Sequence, residues 1–412
     1  MKVAFVTYGC SVNQADSGLM QQQLKKSGHT IVLHEKDADV VVVNTCVVKS
    51  PTERKIVKKL ETLRNKQVVV AGCMAQSQPE FVREHFPEYA ILGVEGVDAI
   101  SDIIDGNVKE NTQLKRLNKA GMGVVHKDSC ISIVEVNEGC LSNCSYCMTK
   151  KARGNLYSYP IRDIVRNVKN AHGEVWLTSQ DMGCYGFDSN TNLANLLNQI
   201  NALGKRVWVR VGMMSPQHAA RIQKPLITSF ASDKVFKFLH IPVQSGSNAV
   251  LAHMRRGYEI NTFERVVNAF KKAYPKLTLA TDIIAGYPTE TDRDFEKTRE
   301  LLTRVRPSVT NISMYWERPK TSAAMLKQLP NYIRKERTRE LTKICAEITE
   351  EEHKKWIGWQ GRVYIDEVGK HDSLVGRNFA YKPIVLKQGV LGSFVNARVT
   401  DAKAHHLVGE IV

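Results

Sequence analysis

Glu138-Gly139-Cys140-Leu141-Ser142-Asn143-Cys144-Ser145-Tyr146-Cys147 places three cysteines at the spacing C-x3-C-x2-C, directly after an apolar, alternating run (Ile131, Ile133, Val136) that reads as a strand. Three thiolates leaving one strand end can hold three corners of a cubic iron–sulfur cluster. Such clusters normally take four thiolates, so a triplet leaves one iron open, as metal sites that do chemistry require. Two blander readings compete: cysteines packed as small hydrophobes, or a zinc site short of its fourth ligand. Tight clustering on a polar loop suits ligands better than core.

Working outward, the 412 residues are too many for one small core, and two to three domains are expected. Lysine and arginine outnumber aspartate and glutamate by 58 to 42, a net charge of +16. That balance favours a polyanionic partner, nucleic acid before anionic membrane; a basic face kept for solubility is the alternative. Nine cysteines is an odd number, and their spacing suggests no disulfide framework. The first residues lead straight into a strand, so no signal peptide is expected. No apolar run approaches the roughly 18 residues of a membrane span. A cytoplasmic location, where thiols stay reduced and can bind metal, is the expectation.

The amino-terminal stretch alternates strand and helix. Strands are predicted at 2–8, 30–34, 40–43 and 68–71, with helices over about 12–26 and 50–65. Near-continuous valine runs such as Val40–Val43 point to a parallel sheet covered on both faces. Cys10, Cys46 and Cys73 each follow the carboxyl end of such a strand, the edge where open α/β sheets bind ligands. Set against three buried structural cysteines, this repetition favours a second three-thiolate cluster. The first domain is read as 1–107. A basic linker over 108–129 follows (Lys109, Lys115, Arg116, Lys119, Lys127), and Cys130 is read as structural.

From 130 to 353 six strands (131–137, 175–180, 207–213, 236–243, 277–284, 310–315) alternate with helices near 160–171, 192–203, 217–229, 262–274, 291–305 and 332–353. This is the pattern of a partial (β/α)6 barrel, active at its strand carboxyl ends. Gln180, Arg210, Gln244, Asp282 and Asn311 gather at those ends, where buried polar groups need a ligand or one another as partners. Cys184 and Cys345 lack ligand spacing. Residues 354–412 read as short strands forming a small five-stranded β-barrel. In its Gly376–Lys382 loop, Arg377, Phe379, Tyr381 and Lys382 mix cations with aromatics, which suits RNA or an ordinary surface loop.

The cysteine triplet, with an aromatic before its last member, resembles the radical S-adenosylmethionine (SAM) signature. Thr7-Tyr8-Gly9-Cys10 with Asn13 and Asp16-Ser17, Asn44-Thr45-Cys46 and Ala71-Gly72-Cys73 resemble the amino-terminal domain of the methylthiotransferases. His240–Gly246 and Thr281–Pro288 resemble later barrel motifs of that family, and 354–412 its RNA-binding TRAM domain. The resemblance covers nearly the whole chain. It implies an α/β architecture of open parallel-sheet domain, partial (β/α)6 radical SAM barrel and TRAM barrel. Leu177–Asp181, Val211–Met214 and Tyr381-Lys382-Pro383 look closest to the archaeal and eukaryotic branch, which acts on N6-threonylcarbamoyladenosine beside the tRNA anticodon. Two 4Fe-4S clusters are implied, on Cys140/Cys144/Cys147 and Cys10/Cys46/Cys73, together with SAM held by Tyr146, Gln180, Arg210, Gln244 and Asp282. One SAM would methylate a cluster-bound sulfur and another would yield the 5′-deoxyadenosyl radical that activates C2 of the base. A tRNA anticodon loop, a ferredoxin- or flavodoxin-like electron donor and a sulfur donor are the implied partners. Action on isopentenyladenosine, action on a ribosomal-protein aspartate, and a non-catalytic iron–sulfur RNA-binding protein are the alternatives. Arg318-Pro319-Lys320-Thr321 departs from the family, which usually has glycine third.

Overall fold

The computed structural model describes residues 1–126 and 130–412; Lys127 of the basic segment lies outside them. The first domain runs β1 (Lys2–Thr7), α1 (Ser11–Lys26), β2 (Thr30–Val32), β3 (Val40–Thr45), α2 (Ser50–Thr62), β4 (Gln67–Gly72), α3 (Cys73–Ser77), α4 (Pro79–His85), β5 (Ala90–Leu92), α5 (Ile100–Ile104) and β6 (Glu110–Asn111). These strands form a parallel sheet ordered β2-β1-β3-β4-β5-β6. The valine runs work as expected of a two-sided sheet, because successive side chains alternate faces. Val41, Val43, Val68 and Val70 pack with Ile56 and Leu60 of α2 on one face. Val40, Val42 and Val69 pack with Leu19 and Leu24 of α1 on the other.

Two expectations need correction here. The sheet continues past residue 107, since β6 lies inside the stretch read as a linker. That stretch also holds β7 (Val125–His126), paired antiparallel with β8 (Ile131–Glu135), and a buried Lys119. The second correction concerns the helix read over 217–229. It is two helices, because Pro225 cannot donate to a preceding carbonyl and its ring clashes with an uninterrupted helix.

The barrel follows as β9 (Asn137–Glu138), α6 (Thr149–Arg153), β10 (Tyr157–Ser158), α7 (Ile161–Asn170), β11 (Glu174–Thr178), α8 (Leu193–Asn201), β12 (Trp208–Val211), α9 (Pro216–Arg221), α10 (Gln223–Ser229), β13 (Phe238–His240), α11 (Asn248–His253), α12 (Ile260–Ala273), β14 (Thr278–Ala285), α13 (Asp292–Val305), β15 (Val309–Met314) and α14 (Asn331–Lys354). Strands β8, β11 and β12 pair in parallel, as do β13, β14 and β15. A parallel bridge from Val209 to Val235 joins the two arcs. Helices α7, α8, α10 and α12 cover the outside with Ile164, Leu197, Leu226 and Phe270.

Five strands close the carboxyl-terminal barrel: β16 (Gln360–Val368), β17 (Leu374–Arg377), β18 (Pro383–Leu386), β19 (Phe394–Ala402) and β20 (Leu407–Ile411). Tyr381 inserts between Phe236 and Phe238, with ring centroids 4.9 and 5.1 Å away. The Lys237 amide donates to the Phe379 carbonyl at 2.7 Å. The small barrel is therefore anchored into the base of the larger one.

Candidate active site

Strands β1, β3 and β4 are neighbours, so the cysteines that follow them converge. Gly9 adopts φ +105°, and a Cβ there would lie 3.0 Å from the Cys46 Cβ. The Cys10 and Cys73 thiols approach the same oxygen, Asn13 Oδ1, at 3.9 and 3.8 Å. Asn13 is itself fixed, donating from Nδ2 to the carbonyls of Tyr8 and Thr45 at 2.8 Å each. Gly72 is needed at φ +86°, since a Cβ would meet Asn44 Oδ1 at 2.1 Å. Burial pushes the Cys73 thiol up to about 12, opposed by the nearby Arg153 guanidinium. Cys10 is exposed and stands at the N-cap of α1.

Behind this trio lies a buried ionic quartet that no local pattern announces. Arg153 Nη2 bonds Asp16 Oδ2 and Asn13 Oδ1 at 2.8 Å each, and its Nη1 reaches Glu138 at 3.0 Å. Lys119 Nζ pairs with the same two carboxylates at 2.5 and 2.6 Å. Burial disfavours the Asp16 carboxylate, but Arg153 and Lys119 outweigh it and hold its pKa below the usual value. Adjacent Glu135, buried with neither carboxyl oxygen bonded, has its pKa pushed well up by desolvation. Two cations thus balance two anions. The quartet joins α1 of the first domain to the loop and helix flanking Cys140 and Cys147.

The barrel triplet opens on a cavity of about 400 Å³ lined by Tyr146, Cys147, Gln244, Asp282, Trp316 and Arg318, and, from the first domain, Val48 and Lys49. It thus lies at the junction of the domains, with Lys49 three residues past Cys46. Arg256 Nη1 donates to Cys144 Sγ at 3.2 Å and to the Tyr146 hydroxyl at 3.3 Å. Sequence reading missed this arginine, because it sits more than a hundred residues away in a loop of ordinary composition. Cys184, set aside for want of spacing, brings its thiol within 4.8 Å of Cys140 and Asp181. A hydrogen bond from Cys184 draws the Cys140 thiol down to about 7 against its burial.

Of the residues expected to meet SAM, Tyr146, Gln244 and Asp282 share this cavity. Gln244 holds φ +73° there, bonded through its amide and carbonyl to β14. Burial raises the Asp282 carboxyl, but the His240 hydrogen bond and charge, with Asn311, bring it below its usual value. Their bonds to Asp282 Oδ1 measure 2.9 and 2.8 Å. Gln180 is buried with its Oε1 unbonded, outside the lining. Arg210 is elsewhere: its guanidinium stacks on Trp176, Phe238 and Tyr381 at 5.4, 5.1 and 5.3 Å.

The four residues expected to grip RNA also turn inward. Tyr381 plugs the barrel base, Lys382 is buried, and Phe379 packs on Trp356 and Trp359. Arg377 pairs with Asp366 at 3.1 Å. Arg377, Phe379 and Tyr381 find partners within the protein, and Lys382 is buried with its Nζ unbonded, so among the described residues this loop turns its cations and aromatics inward. The exposed side of the small barrel instead carries Arg362 stacked 3.8 Å over Phe394, with Asn396 and Arg398 beside it on β16 and β19.

A cysteine triplet at the mouth of a (β/α)6 barrel, its last member lining a polar cavity, defines a radical SAM enzyme. Residues 134–302 match the radical SAM superfamily, and residues 2–93 match the uncharacterized protein family UPF0004. The chain is 39% identical over 425 residues to the probable threonylcarbamoyladenosine tRNA methylthiotransferase of Pyrococcus horikoshii, with both chains fully covered. It is 34% identical to the threonylcarbamoyladenosine tRNA methylthiotransferase of Homo sapiens, covering all of this chain and 74% of the human one. The radical SAM methyltransferase TsrM from Kitasatospora setae shares the fold, at TM-score 0.58 and 13% identity over 78% of this chain and 75% of that one. The protein belongs to the threonylcarbamoyladenosine tRNA methylthiotransferase family and is a radical SAM transferase. Membership implies a 4Fe-4S cluster and SAM. The residues fit both: soft thiolate donors beside a buried arginine suit an anionic metal–sulfide cluster, and the polar cavity next to Cys147 suits a zwitterion. Among the described residues, no helix is long and apolar enough to cross a membrane.

Proposed function

We propose that this chain places a methylthio group on C2 of N6-threonylcarbamoyladenosine next to the anticodon of tRNA. The supporting observation is the single cavity that meets Cys147 on one side and the loop following Cys46 on the other. A base held there would lie between the two thiol trios. Cys140, Cys144 and Cys147 would carry the radical SAM cluster, and Cys10, Cys46 and Cys73 a second one. When bound, cluster and SAM supply one-electron chemistry, which an aromatic C–H needs because it has no leaving group and no useful acidity.

The protein's own residues bind, orient and exclude water. Arg256 offsets thiolate charge at Cys144, Tyr146 offers a face for adenine, and Asn13 sets the spacing of Cys10 and Cys73. The target must be unpaired, since a stacked base hides its edge. The +16 charge supplies salt-dependent attraction to the RNA backbone. A ferredoxin- or flavodoxin-like electron donor and a separate sulfur donor belong to this reading, as does a cytoplasmic location. Nucleoside analysis of tRNA from a strain lacking the gene tests it: loss of the 2-methylthio nucleoside, restored by the wild type but not by Cys46→Ala, is expected. Unchanged tRNA would reject the proposal.

A further inference from the structure

We infer that Lys49 and Arg318 form a carboxylate-binding end of the substrate cavity and read the amino-acid appendage of the target base. This rests on the function proposed above and names the residues that would enforce its substrate choice. The lining of the cavity holds two cations, Lys49 and Arg318, and one anion, Asp282. Asp282 is hydrogen-bonded by His240 and Asn311, and the Lys49 charge also helps to lower its pKa from across the cavity. The Lys49 side chain is exposed and makes no ion pair or hydrogen bond among the described residues.

Arg318 is 3% exposed. Its Nη1 donates to Ser50 Oγ at 3.0 Å and its Nη2 lies 2.7 Å from Glu53 Oε2, while Nε is buried without a hydrogen-bond partner. A buried guanidinium N–H left unbonded is costly. Arg318 also lines the cavity, so its charge would attract an anionic group held there. The two cations are also held together: Lys49 is the N-cap of α2 and Ser50 and Glu53 lie in its first turn, so the bonds of Arg318 to Ser50 and Glu53 tie it to the turn that carries Lys49.

The threonylcarbamoyl substituent ends in a carboxylate and a hydroxyl, so it can take both an ammonium and a guanidinium N–H. An apolar isopentenyl substituent offers no anionic acceptor to either cation. Rejection of a ligand that lacks the needed hydrogen-bonding groups is the stronger form of discrimination. The cavity therefore selects for a charged appendage at N6.

The test uses the full-length holoenzyme and two anticodon stem-loop RNAs of one sequence, one with N6-threonylcarbamoyladenosine and one with plain adenosine. Dissociation constants are measured for both, and SAM binding is measured separately by equilibrium dialysis. Wild type is expected to prefer the modified RNA. Lys49→Ala should shrink that preference by about tenfold, and Lys49→Glu by more. Taking the ratio cancels any general loss of RNA attraction. Arg318→Lys, which keeps charge but loses the fork, should shrink it in part.

A Lys49→Ala ratio equal to wild type overturns the inference. So does an unchanged ratio with weakened SAM binding, because the carboxylate held would then be that of SAM. If wild type itself shows no preference, the substrate reading falls first, and the inference with it.

Discussion

Removing Arg153 tests whether the buried quartet is the hinge pin between the first domain and the barrel. The side chains of Arg153, Asp16, Glu138 and Lys119 are at most 3% exposed. Arg153→Met keeps much of the volume but leaves Asp16 and Glu138 sharing one cation, a net negative charge in a dry site. Breaking a buried ion network on one side costs about 3–5 kcal/mol. The same change frees Asn13 Oδ1, which spaces Cys10 and Cys73, and removes the charge opposing the rise of the Cys73 pKa. Denaturant unfolding followed by circular dichroism should show the destabilisation, and iron content after anaerobic reconstitution should fall. Arg153→Met with Glu138→Gln restores charge balance and should recover a good part of the stability. If Arg153→Met unfolds within about 1 kcal/mol of wild type, the quartet does not hold the domains as argued.

Lys320 holds φ +61°, in the left-handed region that favours glycine, so Lys320→Gly should stabilise by about 1 kcal/mol, read as a raised unfolding midpoint. Glu174 is buried, and desolvation with Asp366 nearby raises its pKa from 4.5 to about 8. A raised folded-state value means its contribution is complete below pH 4.5 and is lost as pH rises through 8. Unfolding free energy should fall over that window by at most about 5 kcal/mol, and Glu174→Gln should flatten the slope. Arg256→Met removes a charged donor to Cys144 Sγ, so the cluster's midpoint potential should drop by on the order of 50–100 mV in an EPR-monitored titration. Arg256→Lys should recover part of that shift.

The fold was largely legible because buried parallel strands leave uninterrupted apolar runs, as at Val40–Val43, and their helices keep a 3.6-residue period. The convergence of Cys10, Cys46 and Cys73 was legible for a similar reason: residues that each follow one of three neighbouring parallel strands end at the same edge of the sheet. Lys119 and Arg153 were not, because residues 16, 119, 138 and 153 meet only in three dimensions. Composition also misled at Arg377–Lys382. Cations interleaved with aromatics describe an RNA surface and an internal cation–π box equally well, and only burial tells them apart. Arg210 failed likewise, since a strand position fixes neither the direction nor the neighbours of a long side chain.

Because Tyr381 is wedged beneath the barrel floor, the carboxyl-terminal barrel cannot swing as a tethered module would. Any RNA lying across Arg362, Phe394 and Arg398 is held at a set separation from the cavity mouth on the far side. With RNA bound in that way the molecule would work as a caliper, the nucleotide reached being set by how far the RNA extends from one fixed jaw to the other.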